Sequence, residues 1–304
     1  MRVGVIGGGA IGLLLSAYLR KSGFIVTIYT RKKLQAVQLE EHGITLKRNN
    51  EVHNIHVHAK PLDEVVFLDD ELVFVTVKQF HIKEVCNTIQ RHIKYPKAVI
   101  FLQNGMGHLD KIKKLPIETI IIGIVEHGAM RFSMTEVHHT GIGTIKIGAI
   151  KGKIINWTSI WQALTEHHFP IVVTNDWLMI MMRKLVVNSC INPLTALYRV
   201  TNGVLISNPH FLKLMRLVYE ETVESINLEN REEVWGEVVM ICEKTAQNRS
   251  SMLRDVENRN ETEIEAILGY VLQKAEEKRL PMPVTTFLYE SIKGIEQEER
   301  EKVE

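Results

Sequence analysis

Arg2-Val-Gly-Val-Ile-Gly-Gly-Gly-Ala-Ile-Gly-Leu-Leu-Leu-Ser-Ala-Tyr-Leu19 decides the fold of this chain. Residues 3–6 read as a short apolar strand, Gly7-Gly-Gly-Ala-Ile-Gly12 as a turn, and the run from Leu13 as the opening of a helix. Glycines 7, 9 and 12 keep the Gly-x-Gly-x-x-Gly spacing in the strand–turn–helix context that gives the pattern meaning. The first glycine permits the tight turn, the second lets a pyrophosphate approach the backbone, and the third lets helix and strand pack closely. The anion then rests on the helix N-terminus. Gly7, Gly8, Gly9, Ala10, Ile11 and Gly12 are therefore the candidate cradle for a dinucleotide, with Gly8 filling a variable slot. The same uncharged run after Arg2 has the outline of an export signal. Its glycines would weaken the helix such a signal adopts, and they suit a strand and a phosphate-binding turn instead.

Around this stretch the first half alternates short apolar runs with amphipathic ones, the pattern of a parallel sheet with crossover helices. Strands are expected at residues 3–6, 25–29, 72–77, 98–102 and 119–125, and the β-branched, glycine-punctuated segment 136–147 is expected to close the sheet with antiparallel strands. From Asn175 the strand pattern gives way to helical spacing, with Asn175-Asp176 as the cap ahead of Trp177. Ile264, Ile267, Leu268, Val271 and Leu272 form one apolar stripe of a later helix. The expected architecture is an α/β Rossmann-type dinucleotide-binding domain over 1–174 and an all-helical domain over 175–304, with the charged stretch Glu296–Glu304 a frayed tail or the end of a solvated helix.

Composition narrows the partners. Thirty-seven basic against 36 acidic residues leave a formal charge of +1, which provides no electrostatic case for nucleic acid or for an anionic membrane. No apolar run reaches the length of a membrane span. A small molecule is the expected partner, and the oligomeric state, a homodimer included, stays open. Three scattered cysteines, Cys86, Cys190 and Cys242, make neither a disulfide framework nor a metal knuckle and fit a reducing compartment, so the cytoplasm is expected. Cys190 reads as core. His53, His56 and His58 read as a solvated strand face without an acid or cysteine to complete a metal site, and His138-His139 as strand surface, so no metal is expected.

The end of the second strand tells which dinucleotide. An enzyme that uses NAD usually carries an acid there for the ribose 2′-hydroxyl, whereas this chain reads Tyr29-Thr-Arg31-Lys-Lys33 and has no acid before Glu40. Arg31–Lys33 could be a plain solvated helix start, but cations there oppose the helix dipole, which favours an anionic ligand and with it NADPH. Two more strand ends carry polar residues on the ligand edge of the sheet: Lys78, and Gln103-Asn104-Gly105. Either could be a plain turn.

Arg183-Lys-Leu-Val-Val-Asn-Ser-Cys-Ile-Asn-Pro-Leu-Thr-Ala196 sets Lys184, Asn188 and Asn192 at four-residue steps through an apolar segment. On a helix the three share one edge, while Leu185, Val186, Val187 and Ile191 supply the surface that packs inward. An ammonium and two amides cost roughly 1–3 kcal/mol each if buried without partners, so protein groups or a polar ligand must satisfy them. Both readings stand at this point. Likewise Asn260-Glu-Thr-Glu263 fits a capping box at the start of the helix that bears Ile264.

With those residues in view the chain resembles the ketopantoate reductase (2-dehydropantoate 2-reductase) family over nearly its full length. The likeness is carried by the glycine turn, Lys78, Gln103-Asn104-Gly105, the Lys184…Asn188…Asn192-Pro193 helix, and Asn248-Arg-Ser-Ser251-Met-Leu-Arg-Asp255 followed by Thr262-Glu263-Ile264. The resemblance implies reduction of ketopantoate to (R)-pantoate with NADPH, a step toward pantothenate and coenzyme A. It implies Lys184 as general acid and Glu263 as the carboxylate acting with it. Asn188, Asn192, Asn248 and Ser251 would be the substrate contacts, Asn104 would lie beside nicotinamide and substrate, Lys78 near cofactor and ketone, and Arg31 against the 2′-phosphate. Hydride arriving at a ketone carbon builds charge on oxygen, which a positioned ammonium can stabilise and protonate. A sister reductase acting on a different 2-keto acid is the nearest alternative. A module that senses NADPH without turnover would need the glycine turn but neither Lys184 nor Glu263.

Overall fold

The computed structural model describes residues 1–65, 68, 70–91 and 96–301. The chain divides into two compact units, Met1–Gln103 with Leu109–Trp177, and Asn104–His108 with Leu178–Glu304.

The first unit holds twelve strands among its described residues: β1 (Arg2–Ile6), β2 (Ile25–Thr30), β3 (Ile44–Arg48), β4 (Glu51–Ile55), β5 (His58–Pro61), β6 (Leu72–Val75), β7 (Ala98–Phe101), β8 (Thr119–Val125), β9 (Gly128–Arg131), β10 (Glu136–Gly141), β11 (Ile145–Lys151) and β12 (Ile171–Val173). Eight of them form one sheet in the order β12-β11-β8-β7-β6-β1-β2-β5. The six from β5 to β8 are parallel, and β11 runs antiparallel to β8. Every residue of β6 and β7 is buried, as is every residue of β1 after Arg2, because crossover helices leave neither face of such a sheet to water. The chain leaves β1 toward β2 and β5 and returns on the other side of β1 as β6. This reversal opens a crevice at the carboxyl ends of β1 and β6, where open α/β sheets bind ligands.

Two sequence expectations change here. Segment 136–147 does not close the main sheet as a whole. β10 joins a separate four-stranded sheet ordered β4-β3-β10-β9, and only β11 pairs with β8. The reason is visible in β10's partners: it lies parallel to β3, a strand too polar on its outer face to announce itself in the sequence. His139, expected on a strand surface, is 6% exposed and belongs to the core. Tyr18 Oη donates to His139 Nδ1 at 2.8 Å, and His139 Nε2 meets His127 Nδ1 at 3.1 Å. Gly143 N–H also donates to His127 Nδ1, which makes that nitrogen an acceptor and fixes the direction of the whole chain of neutral rings. Phe169 stacks on both Tyr18 and His127.

The second unit is helical. Its principal elements are Trp177–Tyr198, Pro209–Ser225, Arg231–Lys244, Ser251–Glu257, a π-helical turn Glu265–Gly269 running into Tyr270–Glu277, and Pro283–Glu301. Glu296, expected in a solvated tail, is 7% exposed and accepts the Thr262 amide at 2.7 Å, so that end of the last helix is packed. The final residues of the expected tail, 302–304, lie outside the described residues. No helix among the described residues is long and apolar enough to cross a membrane.

Candidate active site

The glycine turn lies at the crevice end of β1. Gly7 sits at φ +121, a left-handed conformation that glycine adopts without strain, and its amide bonds Tyr29 O at 2.9 Å. At Gly12 an added Cβ would stand 1.9 Å from Gly7 O, so the helix Ala10–Lys21 reaches the turn only because Gly12 has no side chain. Gly9 differs: a Cβ there would meet nothing within 4 Å. Packing within the protein does not explain Gly9, whereas the close approach of a ligand to that backbone does. Gly9 is also the N-cap of the helix, with no side-chain cap and no acid in the first turn, so its leading amides are available to an anion. These features fit a dinucleotide phosphate.

Gly8 is more constrained than a variable slot. Its carbonyl accepts from Gln35 Nε2 at 2.8 Å and from Arg131 Nη1 at 3.1 Å, and a Cβ on Gly8 would lie 2.6 Å from the Gln35 amide. Gln35, missed in the sequence because it reads as an ordinary helix residue, is buried and also donates to Met134 O at 2.8 Å.

Past the end of β2, Thr30 Oγ1 donates to Lys32 O, and the helix Lys33–His42 starts without a side-chain cap or an acid in its first turn. Lys33 is paired with Glu64 at 2.7 Å, but Arg31 is exposed and donates to His81 Nε2 at 2.8 Å. Glu40 is bound to the Ala59 amide and His58, so it is engaged at β5. Lys78, half-buried, occupies the position before the short turn Gln79–His81 beyond β6, without a side-chain capping bond. Gln103 staples the ends of β6 and β7, donating to Val75 O at 2.8 Å and Val77 O at 2.9 Å.

In the helical unit Lys184, Asn188 and Asn192 lie on one helix, the first two half-buried and the third 7% exposed. Asn192 Nδ2 reaches Ser251 Oγ at 3.5 Å. Behind them Thr195 Oγ1 donates to Ser250 Oγ at 2.7 Å, and Ser250 accepts the Leu253 amide as N-cap, which fixes Ser251 at the head of the helix Ser251–Glu257. Asn248 has an exposed side chain, while its carbonyl takes the Asn202 amide at 3.0 Å. Cys190 is wholly buried and burial pushes its thiol well above the usual range, which suits core and not a nucleophile.

Glu263 is placed differently from the capping-box expectation. It precedes the helix, and Thr262 Oγ1, not an Asn260 side chain, accepts the Ile264 amide at 3.1 Å. The Glu263 carboxylate instead takes the Asn104 amide, Nδ2 to Oε2, at 2.9 Å. Gly105 makes this pairing possible. At φ +73 it lies so near the π-helical turn that a Cβ would be 2.2 Å from Ala266 O. Single π-helical turns of this kind recur at functional sites.

The histidines near β4 and β5 carry acids that the sequence did not suggest, His53 with Glu51 at 3.3 Å and His58 with Glu40 at 3.1 Å. No group of three potential metal ligands forms among the described residues.

Comparison with known proteins agrees along the whole chain. Residues 3–152 match the family model described as ketopantoate reductase PanE/ApbA, and residues 176–296 match its C-terminal counterpart. The chain is 41% identical over 297 residues to the 2-dehydropantoate 2-reductase of Bacillus subtilis (strain 168), covering 97% of this chain and 98% of that one. Among solved structures, a probable 2-dehydropantoate 2-reductase from Bacillus subtilis superposes with a TM-score of 0.87 at 40% identity, over 97% of this chain and all of the other. D-mandelate dehydrogenase in a ternary structure with NADH and anilino(oxo)acetate shares the fold, with a TM-score of 0.91 at 24% identity over 99% of each chain. Given a glycine turn open at Gly9, a carboxylate held by Asn104, and family models that match both halves, this chain belongs to the ketopantoate reductase family.

Proposed function

We propose that the protein reduces the ketone of 2-dehydropantoate to the secondary alcohol of (R)-pantoate with NADPH, a step toward pantothenate and coenzyme A. The observation that carries the reading is the Asn104–Glu263 hydrogen bond, which fixes a carboxylate against an amide from the segment just past β7, in the unit that also holds Lys184. The 41% identity to a 2-dehydropantoate 2-reductase supports the choice of substrate.

In this reading residues 1–174 bind the dinucleotide and 175–304 the substrate. When bound, NADPH would supply the hydride that reaches the carbonyl carbon. Lys184 stabilises the charge that develops on the carbonyl oxygen and gives it a proton, a task for lysine because an arginine cannot release one at working pH. Glu263 acts with Lys184 on the ketone and hydroxyl. Asn188, Asn192, Asn248 and Ser251 bond the carboxylate and hydroxyl of the substrate, with Asn104 beside the nicotinamide. Lys78 would lie near cofactor and ketone, and Arg31 would meet the 2′-phosphate, the feature on which a preference for NADPH rests.

The test is oxidation of NADPH with a panel of 2-keto acids. A site that bonds a substrate hydroxyl rejects an analogue lacking it by roughly 10,000-fold or more in the best cases, so kcat/KM for ketopantoate should far exceed that for pyruvate or 2-ketobutyrate. Equal values would remove ketopantoate as the substrate and leave a reductase of other 2-keto acids.

A further inference from the structure

The carbonyl of Gly8 is satisfied twice. Gln35 is buried, neutral and already committed to it at 2.8 Å, with its amide nitrogen also on Met134 O. Arg131, at the end of β9, adds a second donor at 3.1 Å. A carbonyl held by one good amide donor does not require a guanidinium as well, so the position of Arg131 calls for its own explanation.

Its electrostatics provide one. Arg131 is exposed and has no ion pair among the described residues. One N–H of five is used on Gly8, which leaves the rest of a planar fork suited to phosphate oxygens. Gly8 adjoins Gly9, where the structure leaves open space over an uncapped helix start. The turn itself, residues 7–12, contains no basic side chain, and the helix end contributes only about half an elementary charge against the two negative charges of a pyrophosphate. Arg131 is a full positive charge delivered to that turn from another part of the same unit.

We propose that Arg131 is a dinucleotide-binding residue that contacts the pyrophosphate from the Gly8 side of the turn, leaving the 2′-phosphate to Arg31. The assignment rests on the cofactor reading above and adds a residue to it. Arg131 meets the part of the cofactor that NADPH and NADH share, so its loss weakens both equally, whereas loss of Arg31 discriminates between them.

The experiment measures dissociation constants for NADPH, NADH and adenosine 2′-monophosphate, which has no pyrophosphate, on the full-length protein and three variants. Arg131→Ala and Arg131→Gln should each weaken NADPH and NADH by the same factor, roughly tenfold for one charge-assisted contact, and leave adenosine 2′-monophosphate unchanged. Arg31→Ala should weaken NADPH and adenosine 2′-monophosphate and spare NADH. The Gln variant keeps a donor for Gly8 O without the charge, so wild-type affinity in Arg131→Gln would reduce Arg131 to a brace of the turn and overturn the proposal. So would an Arg131→Ala variant that loses adenosine 2′-monophosphate and retains NADH, since Arg131 would then read the 2′-phosphate. A wild-type protein that binds neither dinucleotide would overturn the cofactor reading as well, which separates the two failures.

Discussion

Acidification from pH 7 to pH 5 is expected to remove about 2 kcal/mol from the stability of the first unit through His127 alone, and about 3 kcal/mol by pH 4. His127 is 7% exposed, and burial, reinforced by the neighbouring His139, pushes its ring down from the usual 6.5 to about 4 against a smaller opposing effect of Glu126. His139 is held low by burial and by Arg48. Because the folded value of His127 lies below its unfolded one, the folded protein binds fewer protons than the unfolded chain between pH 4 and 6.5. The contribution is therefore complete above the unfolded value and is lost as pH falls through that window. Geometry gives the same sign: His127 Nδ1 already accepts from Gly143 N–H and faces His139 Nε2, so a proton placed there would meet donors. Urea unfolding of wild type and His127→Asn at pH 7, 6 and 5 isolates the effect, since the Asn oxygen can accept in place of Nδ1 and never titrates in this range. The variant is less stable at pH 7 but should lose about 2 kcal/mol less than wild type between pH 7 and 5. Parallel pH slopes for the two proteins would refute the reasoning.

Three other expectations concern the helical unit. Lys184→Ala should lower kcat by roughly 100- to 10,000-fold with a smaller change in KM, and Lys184→Arg should not restore it; near-wild-type turnover in the Arg variant would make Lys184 an electrostatic anchor and not the acid. Glu263→Gln keeps an acceptor for the Asn104 amide and removes the charge, so the melting temperature should stay near wild type while kcat falls at least tenfold, and the opposite pattern would make Glu263 structural. Gly105→Ala combines a left-handed backbone with a Cβ 2.2 Å from Ala266 O, and should cost about 1–3 kcal/mol of stability, read as a lower urea midpoint.

The glycine turn and the buried parallel strands were legible in the sequence because each is a local signal: spacing alone specifies Gly7, Gly9 and Gly12, and an apolar run of four or five residues announces a strand covered on both faces. Expected strands 72–77 and 98–102 end at Val75 and Phe101, a shift of the size at which strand ends blur into turns. The second sheet was not legible. β4 is mostly exposed and carries Glu51, His53 and Asn54, so no alternation marks it, and nothing local to β10 reveals its sheet, because its partner β3 is about ninety positions away in the chain. Glu263 shows the same limit in the site. Its local pattern spelled a capping box, but the carboxylate is taken by Asn104, 159 residues away, which no window of sequence contains. His139 reads as surface only by its polarity; it shares a strand face with the buried Val137, and the helix Ala10–Lys21 brings Tyr18 over it.

That separation of 159 residues also has a meaning in time. Asn104 leaves the ribosome long before Glu263 is made: at about 5–20 residues per second, the interval is on the order of ten to thirty seconds. Through that interval the nascent chain carries an Asn-Gly segment whose left-handed glycine has no π-helical turn to lie against, while β7 and β8 on either side of it can already pair. Synthesis of the Rossmann half thus ends with one short stretch unfinished, and the carboxylate arrives as nearly the last component.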